Sequence, residues 1–356
     1  MPASLISCAK HSEHDCRPLS AQSTIAHPNE VLLDGGRDDR ALPPVDHYCG
    51  TEARIAKALA LQKASASNSR PTFDVTADCE DGALAGAEAE QADLVGAAIA
   101  SDANQFNRVG VRVHPPDSEF FQDDVARILK KAADRVAYIT LPKIETAEQC
   151  NQAIEEIDRL TVLHVTNRDG MIPVHVLIES PLALRDVNAL AQHPRVECLS
   201  FGLMDYVSAF GGAIAEDAMT SPGQFEHPLV RAAKVQVSLA AHAHGKVPSH
   251  NVSIILDAPD RVEAEARRAA DEFGFTRMWS IHPAQIAVIL RGLTPSTRLI
   301  EESANILLAA RAASWAPVSW LGRLHDRASY RFHWQRLRRA HQAGSAIPPS
   351  AQLAFF

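Results

Sequence analysis

The chain has no CxxC pair: its six cysteines, Cys8, Cys16, Cys49, Cys79, Cys150 and Cys198, are scattered over 356 residues. Disulfide frameworks belong to small, cysteine-dense chains, so this scatter points to a reducing, cytoplasmic setting. A basic n-region followed by an apolar h-region is missing at the start, and no signal peptide is expected. No apolar run approaches the length that spans a bilayer, so no membrane partner is expected. Positive charge is in deficit as well. The formal net charge of −8 argues against nucleic acid as a partner, while local Arg, Lys or metal can still hold an anionic substrate. No GxGxxG turn follows an early strand, which disfavours a dinucleotide-binding Rossmann unit.

What is present is a globular composition, 46% hydrophobic and 22% charged. Strand-like apolar runs fall at residues 73–78, 108–113, 136–141, 172–178, 196–202, 246–250 and 277–282. A poorly marked first strand is expected between Leu42 and Tyr48. Helical segments separate them, at 51–66, 83–101, 120–133, 145–160, 229–245 and 260–273. Strands recurring about every 25–35 residues with a helix between are the rhythm of a parallel sheet. The expected fold is α/β, a (β/α)8 TIM barrel over residues 41–295. An irregular N-terminal extension, 1–40, precedes it, and a helical, Trp-rich segment, 296–356, follows. That tail carries Trp315, Trp320 and Trp334 among many Arg and His residues, and is expected to pack on the barrel or on a neighbouring subunit. Cys8, His11, His14 and Cys16 have ligand-type spacing, but no second half-site follows, so a solvated tail is preferred over a zinc site.

Two strand-like runs end in acids: 172–178 leads into Glu179, and 196–202 is followed by Asp205. Carboxylates at the C-terminal ends of adjacent parallel strands converge on one face of a barrel, as a hard cation such as Mg2+ requires. Helix capping is the competing role for each. Glu80 and Asp81 end another strand; Glu80 is expected to face the site and orient metal-bound water, and Asp81 to be structural or to support the site from behind the metal waters. Arg112, between Val111 and Val113, is expected to point into the barrel mouth. There it would clamp a carboxylate, stabilise an enolate oxyanion, or pair with Glu80. Lys143 reads as a lysine paired to acids, and His282 with Gln285 as a structural turn. His47 and His250 are further strand-end candidates.

Six motifs in order carry a resemblance: Cys79-Glu80-Asp81-Gly82, Val111-Arg112-Val113, Leu141-Pro142-Lys143, Ile178-Glu179-Ser180, Phe201-Gly202-Leu203-Met204-Asp205 and Gly274-Phe275 through Trp279-Ser280-Ile281-His282-Pro283-Ala284-Gln285. Over residues 45–290 the chain resembles the HpcH/HpaI aldolase and citrate lyase β-subunit-like family. The resemblance implies a TIM barrel that binds Mg2+, with Mn2+ the alternative ion, and breaks or forms a carbon–carbon bond. It implies Glu179 and Asp205 as metal ligands, Arg112 as a catalytic and substrate-binding residue, and Glu80 as a catalytic support of the metal waters. The implied substrates are small 3-hydroxy acids or their CoA thioesters, of malyl, citramalyl or citryl type, or free hydroxy-oxo acids. Cleavage would give an enolate stabilised by the ion or by Arg112. It further implies a homo-oligomer, trimer or hexamer, whose C-terminal segment reaches a neighbour's site. A tail residue from another subunit, such as Asp326, would then be a candidate base.

The family's first-strand Arg-Ser motif has no clear counterpart near residues 42–50. Ser180-Pro181 reshapes the helix N-terminus where a substrate carboxylate would sit, and Ser180 is placed among the substrate-binding residues. Two other readings compete. A phosphoenolpyruvate-type Mg2+ enzyme would need a Gly-rich phosphate loop, for which Gly211-Gly212 is too little. A catalytically silent barrel, serving as a binding or assembly subunit, would fit the missing arginine but not the intact Glu179, Asp205 and Arg112.

Overall fold

The computed structural model describes residues 26–33, 42–67, 69–83, 86–168 and 170–356. The segment from Cys8 to Cys16 lies outside them. Among the described residues helix α1 (Pro28–Leu32) comes first, within the stretch expected to be irregular. Strand β1 (Val45–Cys49) leads to α2 (Glu52–Ala64), β2 (Phe73–Asp78) to α3 (Glu88–Ala100), β3 (Val109–Arg112) to α4 (Phe121–Ala132), and β4 (Val136–Leu141) to α5 (Ala147–His164). Strand β5 (Val174–Ile178) is followed by α6 (Pro181–Arg185) and α7 (Val187–Gln192). Strand β6 (Val196–Phe201) precedes α8 (Leu203–Ser208), α9 (Gly223–Glu226) and α10 (Pro228–Ala243). Strand β7 (Val247–His250) precedes α11 (Pro259–Phe273), and β8 (Arg277–Ser280) precedes α12 (Pro283–Leu293).

The eight strands close into a parallel barrel in chain order, with β1 paired to both β2 and β8. This is the (β/α)8 barrel. Its strands read as continuous apolar runs because both faces are covered: every residue of β2, β4 and β5 is buried. The first strand starts at Val45, not Leu42, since Pro43 and Pro44 have no N–H for a ladder. Their carbonyls still help to close the barrel, accepting from Arg277 and Met278.

The strand faces that point inward near the N-terminal end are charged. Arg277 is fully buried and pairs with Asp46 at 2.9 Å and Asp74 at 2.7 Å. Asp74 also receives a two-pronged bond from Arg108, at 2.7 and 2.6 Å. Burial favours the neutral acid at Asp74, but the two guanidiniums outweigh it and hold its pKa below the ordinary carboxylate value. Asp46 accepts from Thr76 at 2.6 Å and from Tyr138 at 3.1 Å. Arg277, Asp46, Asp74 and Arg108 thus form a charged plug inside the barrel whose charges are paired, as burial demands.

The C-terminal part is helix-rich. It consists of α13 (Thr297–Ala312), a hairpin of β9 (Val318–Trp320) and β10 (Arg323–His325), α14 (Arg327–Gln342) and α15 (Pro349–Phe355). These helices and α1 share a second core containing Leu32, Leu307, Trp315, Tyr330, Trp334 and Phe355. The tryptophans do the docking: Trp334 donates to the Asn29 side chain at 2.8 Å and Trp315 to the Ala26 carbonyl at 3.0 Å. The aromatic tail thus packs on α1 of its own chain. Among the described residues no helix is long and apolar enough to cross a membrane. The cysteines described, Cys49, Cys79, Cys150 and Cys198, are buried free thiols.

Candidate active site

At the C-terminal end of the barrel the sequence Asp78-Cys79-Glu80-Asp81-Gly82 turns out of β2. The Asp78 carboxylate closes that turn, accepting from the Glu80 N–H at 3.0 Å and the Gly82 N–H at 2.9 Å. The same carboxylate grips Arg112 through Nε at 2.9 Å and Nη2 at 2.6 Å. A two-pronged guanidinium–carboxylate contact fixes orientation as well as charge. The third nitrogen of Arg112 reaches Glu80 Oε2 at 2.8 Å. Glu80 Oε1 then pairs with Lys143 Nζ at 2.7 Å, and the Lys143 backbone N–H donates to Glu179. One chain of contacts therefore links the ends of β2, β3, β4 and β5.

Glu179 is 6% exposed. Burial raises its pKa to about 7; the Lys143 N–H opposes this, while nearby Asp205 and Glu80 add to it. Glycine at 202 makes room for this carboxylate. A Cβ there would lie 2.6 Å from Glu179 Cβ and 2.7 Å from Oε2. Asp205 stands in the first turn of α8. Glu179 and Asp205 line a cavity of about 340 Å3 together with Arg112, Tyr48, Asn251 and Trp279. Tyr48 and Trp279 stack at 4.0 Å between ring centroids, and the Arg112 guanidinium lies 5.4 Å from the Tyr48 ring.

Four expected site residues, Glu80, Arg112, Glu179 and Asp205, come together at this mouth. Glu80 is not on the cavity wall; it stands behind, holding Arg112 and Lys143. Ser180 is separate: its hydroxyl accepts from the Ala183 N–H at 3.0 Å as the cap of α6. Lys143 is paired to acids as expected. Burial disfavours its ammonium, but Glu80 outweighs that and raises its pKa, the reverse of what a nucleophilic lysine needs. Asp81 is a cavity-lining residue 3.8 Å from Lys143. His282 and Gln285 form the cap of α12. His47 bonds Ser280 at 3.1 Å and burial lowers its pKa to about 4. Asp326 caps α14, accepting from Ala328 N–H at 3.0 Å and Ser329 N–H at 3.3 Å. Sequence reasoning missed Asp78, Tyr48, Trp279 and Asn251. Asp78 had a signal, as the last residue of an alternating strand before two acids.

An acid-rich C-terminal mouth on a TIM barrel defines a class of enzymes whose chemistry lies at the strand ends. The model of the HpcH/HpaI aldolase/citrate lyase family matches residues 70–283. The chain belongs to this family and is a carbon–carbon lyase by class. A citrate lyase of Burkholderia xenovorans LB400 is 47% identical, covering 93% of this chain and 100% of that one, with a TM-score of 0.79. The L-malyl-CoA/beta-methylmalyl-CoA lyase of Cereibacter sphaeroides (strain ATCC 17025 / ATH 2.4.3) is 28% identical over 236 residues, 62% of this chain and 72% of its own. Mycobacterium tuberculosis CitE, in complex with magnesium, acetoacetate and coenzyme A, shares the fold at 23% identity and a TM-score of 0.62, covering 85% of this chain and 99% of its own.

Proposed function

We propose that the chain is a Mg2+-dependent lyase that cleaves or forms the carbon–carbon bond of a small 3-hydroxy acid or its CoA thioester. The observation that carries this reading is Glu179. It is a buried carboxylate whose charge is disfavoured, set beside Asp205 at a cavity whose wall also carries Arg112. A bound cation would reverse that penalty. Among the described residues no group of three or more His, Cys, Asp or Glu side chains forms a ligand set. Two carboxylates still fit Mg2+, which keeps several waters and takes oxygens from its substrate. Glu179 and Asp205 would hold the ion, and when bound it supplies a Lewis acid for the substrate's hydroxyl or oxo oxygen.

The chain's own residues do the rest. Arg112 offers the outer face of its guanidinium to a substrate carboxylate or to the enolate oxygen that forms as the bond breaks. Asp78 and Glu80 act through Arg112 as positioning residues, because Asp78 accepts from its Nε and Nη2 and Glu80 forms an ion pair with its Nη1. Tyr48 and Trp279 form an aromatic wall that excludes water. Ser180 supports the site only through the shape of α6. A homo-oligomer, trimer or hexamer, belongs to the same reading, supported by Leu321 and Leu324 on the β9–β10 hairpin, which are 85% and 76% exposed.

The test is calorimetry of Mg2+ with and without oxaloacetate, pyruvate or glyoxylate, on wild type and on Glu179→Ala/Asp205→Ala. Oxo-acid-dependent Mg2+ binding that vanishes in the double variant is expected. No binding by the wild type would overturn the lyase reading and leave the silent barrel.

A further inference from the structure

The basic tail has one face that the second core leaves unused. On α14, Tyr330, Trp334 and Leu337 turn inward to that core, while Gln335, Arg338, Arg339 and Gln342 recur at helical spacing on another face. That face lies over the N-terminal end of the barrel, the end opposite the mouth, and encloses with it a cavity of about 520 Å3. The barrel's share of the wall is largely apolar: Leu42 and Pro44 before β1, Pro248 on β7 and Leu293 at the end of α12. Small-molecule sites have this size and this mix of apolar wall and a few convergent polar groups. Among the described residues no Asp or Glu lines the cavity, in a chain whose net charge is −8.

Cations at this end of the barrel have an ordinary role as well. Helices α10, α11 and α12 end there, and their carbonyl ends attract positive charge. That role covers Lys246, whose Nζ donates to the His193 carbonyl at 3.0 Å, and His242, whose ring nitrogen bonds the Gly274 carbonyl at 2.8 Å. Arg338 Nη1 donates to Gln335 Oε1 at 3.4 Å. Arg339 is different. It is half-buried on the cavity wall, and among the described residues its guanidinium makes no ion pair and no hydrogen bond. Burial disfavours its charge, neighbouring Arg336 adds to this, and Asp271 opposes both without reversing them, so its pKa is lowered. Arg336 has an acid of its own, Glu302, at 4.0 Å. A half-buried cation without a countercharge is stabilised by an anion brought to it.

We propose that this cavity is a second binding site, for a nucleoside monophosphate whose phosphate is held by Arg339 and Arg338 and whose base lies on the apolar floor of the barrel. A guanidinium fork matches two phosphate oxygens at once, which an ammonium does not. Gln342 beside them offers a donor and an acceptor to the ligand's polar edge. The site does not rest on the lyase reading: the two cavities lie at opposite ends of the barrel and share no lining residue. The acidic charge of the whole chain does not exclude it, because the field that a small anion meets is set by the residues around the cavity.

The experiment is calorimetry on the full chain without Mg2+, comparing AMP with adenosine and with pyrophosphate on wild type, Arg339→Gln, Arg339→Lys and Glu179→Ala/Asp205→Ala. AMP is expected to bind the wild type more tightly than adenosine, which lacks the phosphate, and than pyrophosphate, which lacks the apolar body. Arg339→Gln should weaken AMP about ten- to a hundredfold and leave adenosine within about twofold. The lysine variant keeps the charge without the fork and should recover part of that loss; it also carries the test if the glutamine variant fails to fold. The mouth variant should bind AMP as the wild type does. No AMP binding by the wild type, or AMP affinity unchanged in Arg339→Gln, would overturn the proposal. Pyrophosphate binding as tightly as AMP would overturn it as well, since the apolar floor would then contribute nothing. AMP binding lost with Glu179 and Asp205 would overturn it by placing the ligand at the mouth. The lyase reading stands or falls separately, on the binding of Mg2+ and oxo acids.

Discussion

Replacing Glu179 by glutamine tests the electrostatics of the site without any assumption about substrate. Glutamine keeps an oxygen to accept the Lys143 N–H and removes the buried charge. In the ion-free protein the Glu179 pKa is raised from 4.5 to about 7, first by burial. The folded state therefore holds the proton more tightly than the unfolded chain. Below about pH 4.5 both states are protonated and the residue costs nothing. As pH rises toward 7 the unfolded chain ionises first and stability is lost; above 7 the loss is complete. With those two values the penalty is about 1 kcal/mol at pH 5 and about 3 kcal/mol at pH 8. Unfolding entropy of about 2.1 cal/mol/K per residue makes 1 kcal/mol worth about 1.3 °C in a chain of 356 residues. Glu179→Gln should thus melt about 4 °C above wild type at pH 8 in chelator and about 1 °C above it at pH 5. Differential scanning calorimetry at the two pH values reads this directly. Excess Mg2+ at pH 8 should raise the wild-type melting temperature and leave the variant where it is. A variant less stable than wild type at pH 8, or an offset independent of pH, would refute the reasoning.

Two further changes separate the site from its support. Gly202→Ala places a Cβ 2.6 Å from Glu179 Cβ, so it should displace that carboxylate and abolish oxo-acid-dependent Mg2+ binding at a cost of about 1–3 kcal/mol in stability; binding that survives would mean Glu179 is not needed where it stands. Arg277→Met leaves Asp46 and Asp74 facing each other without their shared partner, so urea unfolding should show a loss of about 3–5 kcal/mol, partly recovered by adding Asp46→Leu; a neutral single variant would show that the plug carries no stability.

The residues that sequence alone could place are those whose role is local. Strands β2 and β4 were legible to the residue because each is an unbroken buried run with punctuation at its ends: an acidic turn after Asp78, and Pro142 after Leu141. Glu179 and Asp205 were legible for the same reason, as acids just past such runs. The first strand was blurred because its inward positions are polar: the buried Asp46 has its countercharge in Arg277, more than two hundred residues away, and no periodicity records that pairing. Where the tail docks was not legible for the same reason, since its tryptophans find their acceptors at Asn29 and Ala26 across most of the chain.

The site itself divides along this line. Arg112 showed itself as a charge inside an apolar strand, but what holds it is Asp78, a contact that exists only once β2 and β3 are side by side in register. Read alone, Asp78 is an ordinary strand-ending acid. Asn251 is less visible still. Its amide is held by bonds to Gln224 of α9 and to the carbonyl of Val252, its own successor in the chain. Residues that carry charge toward a ligand can be guessed from type and strand position. Residues that hold or complete them depend on which donors and acceptors meet after folding, and that pairing is a property of the folded chain.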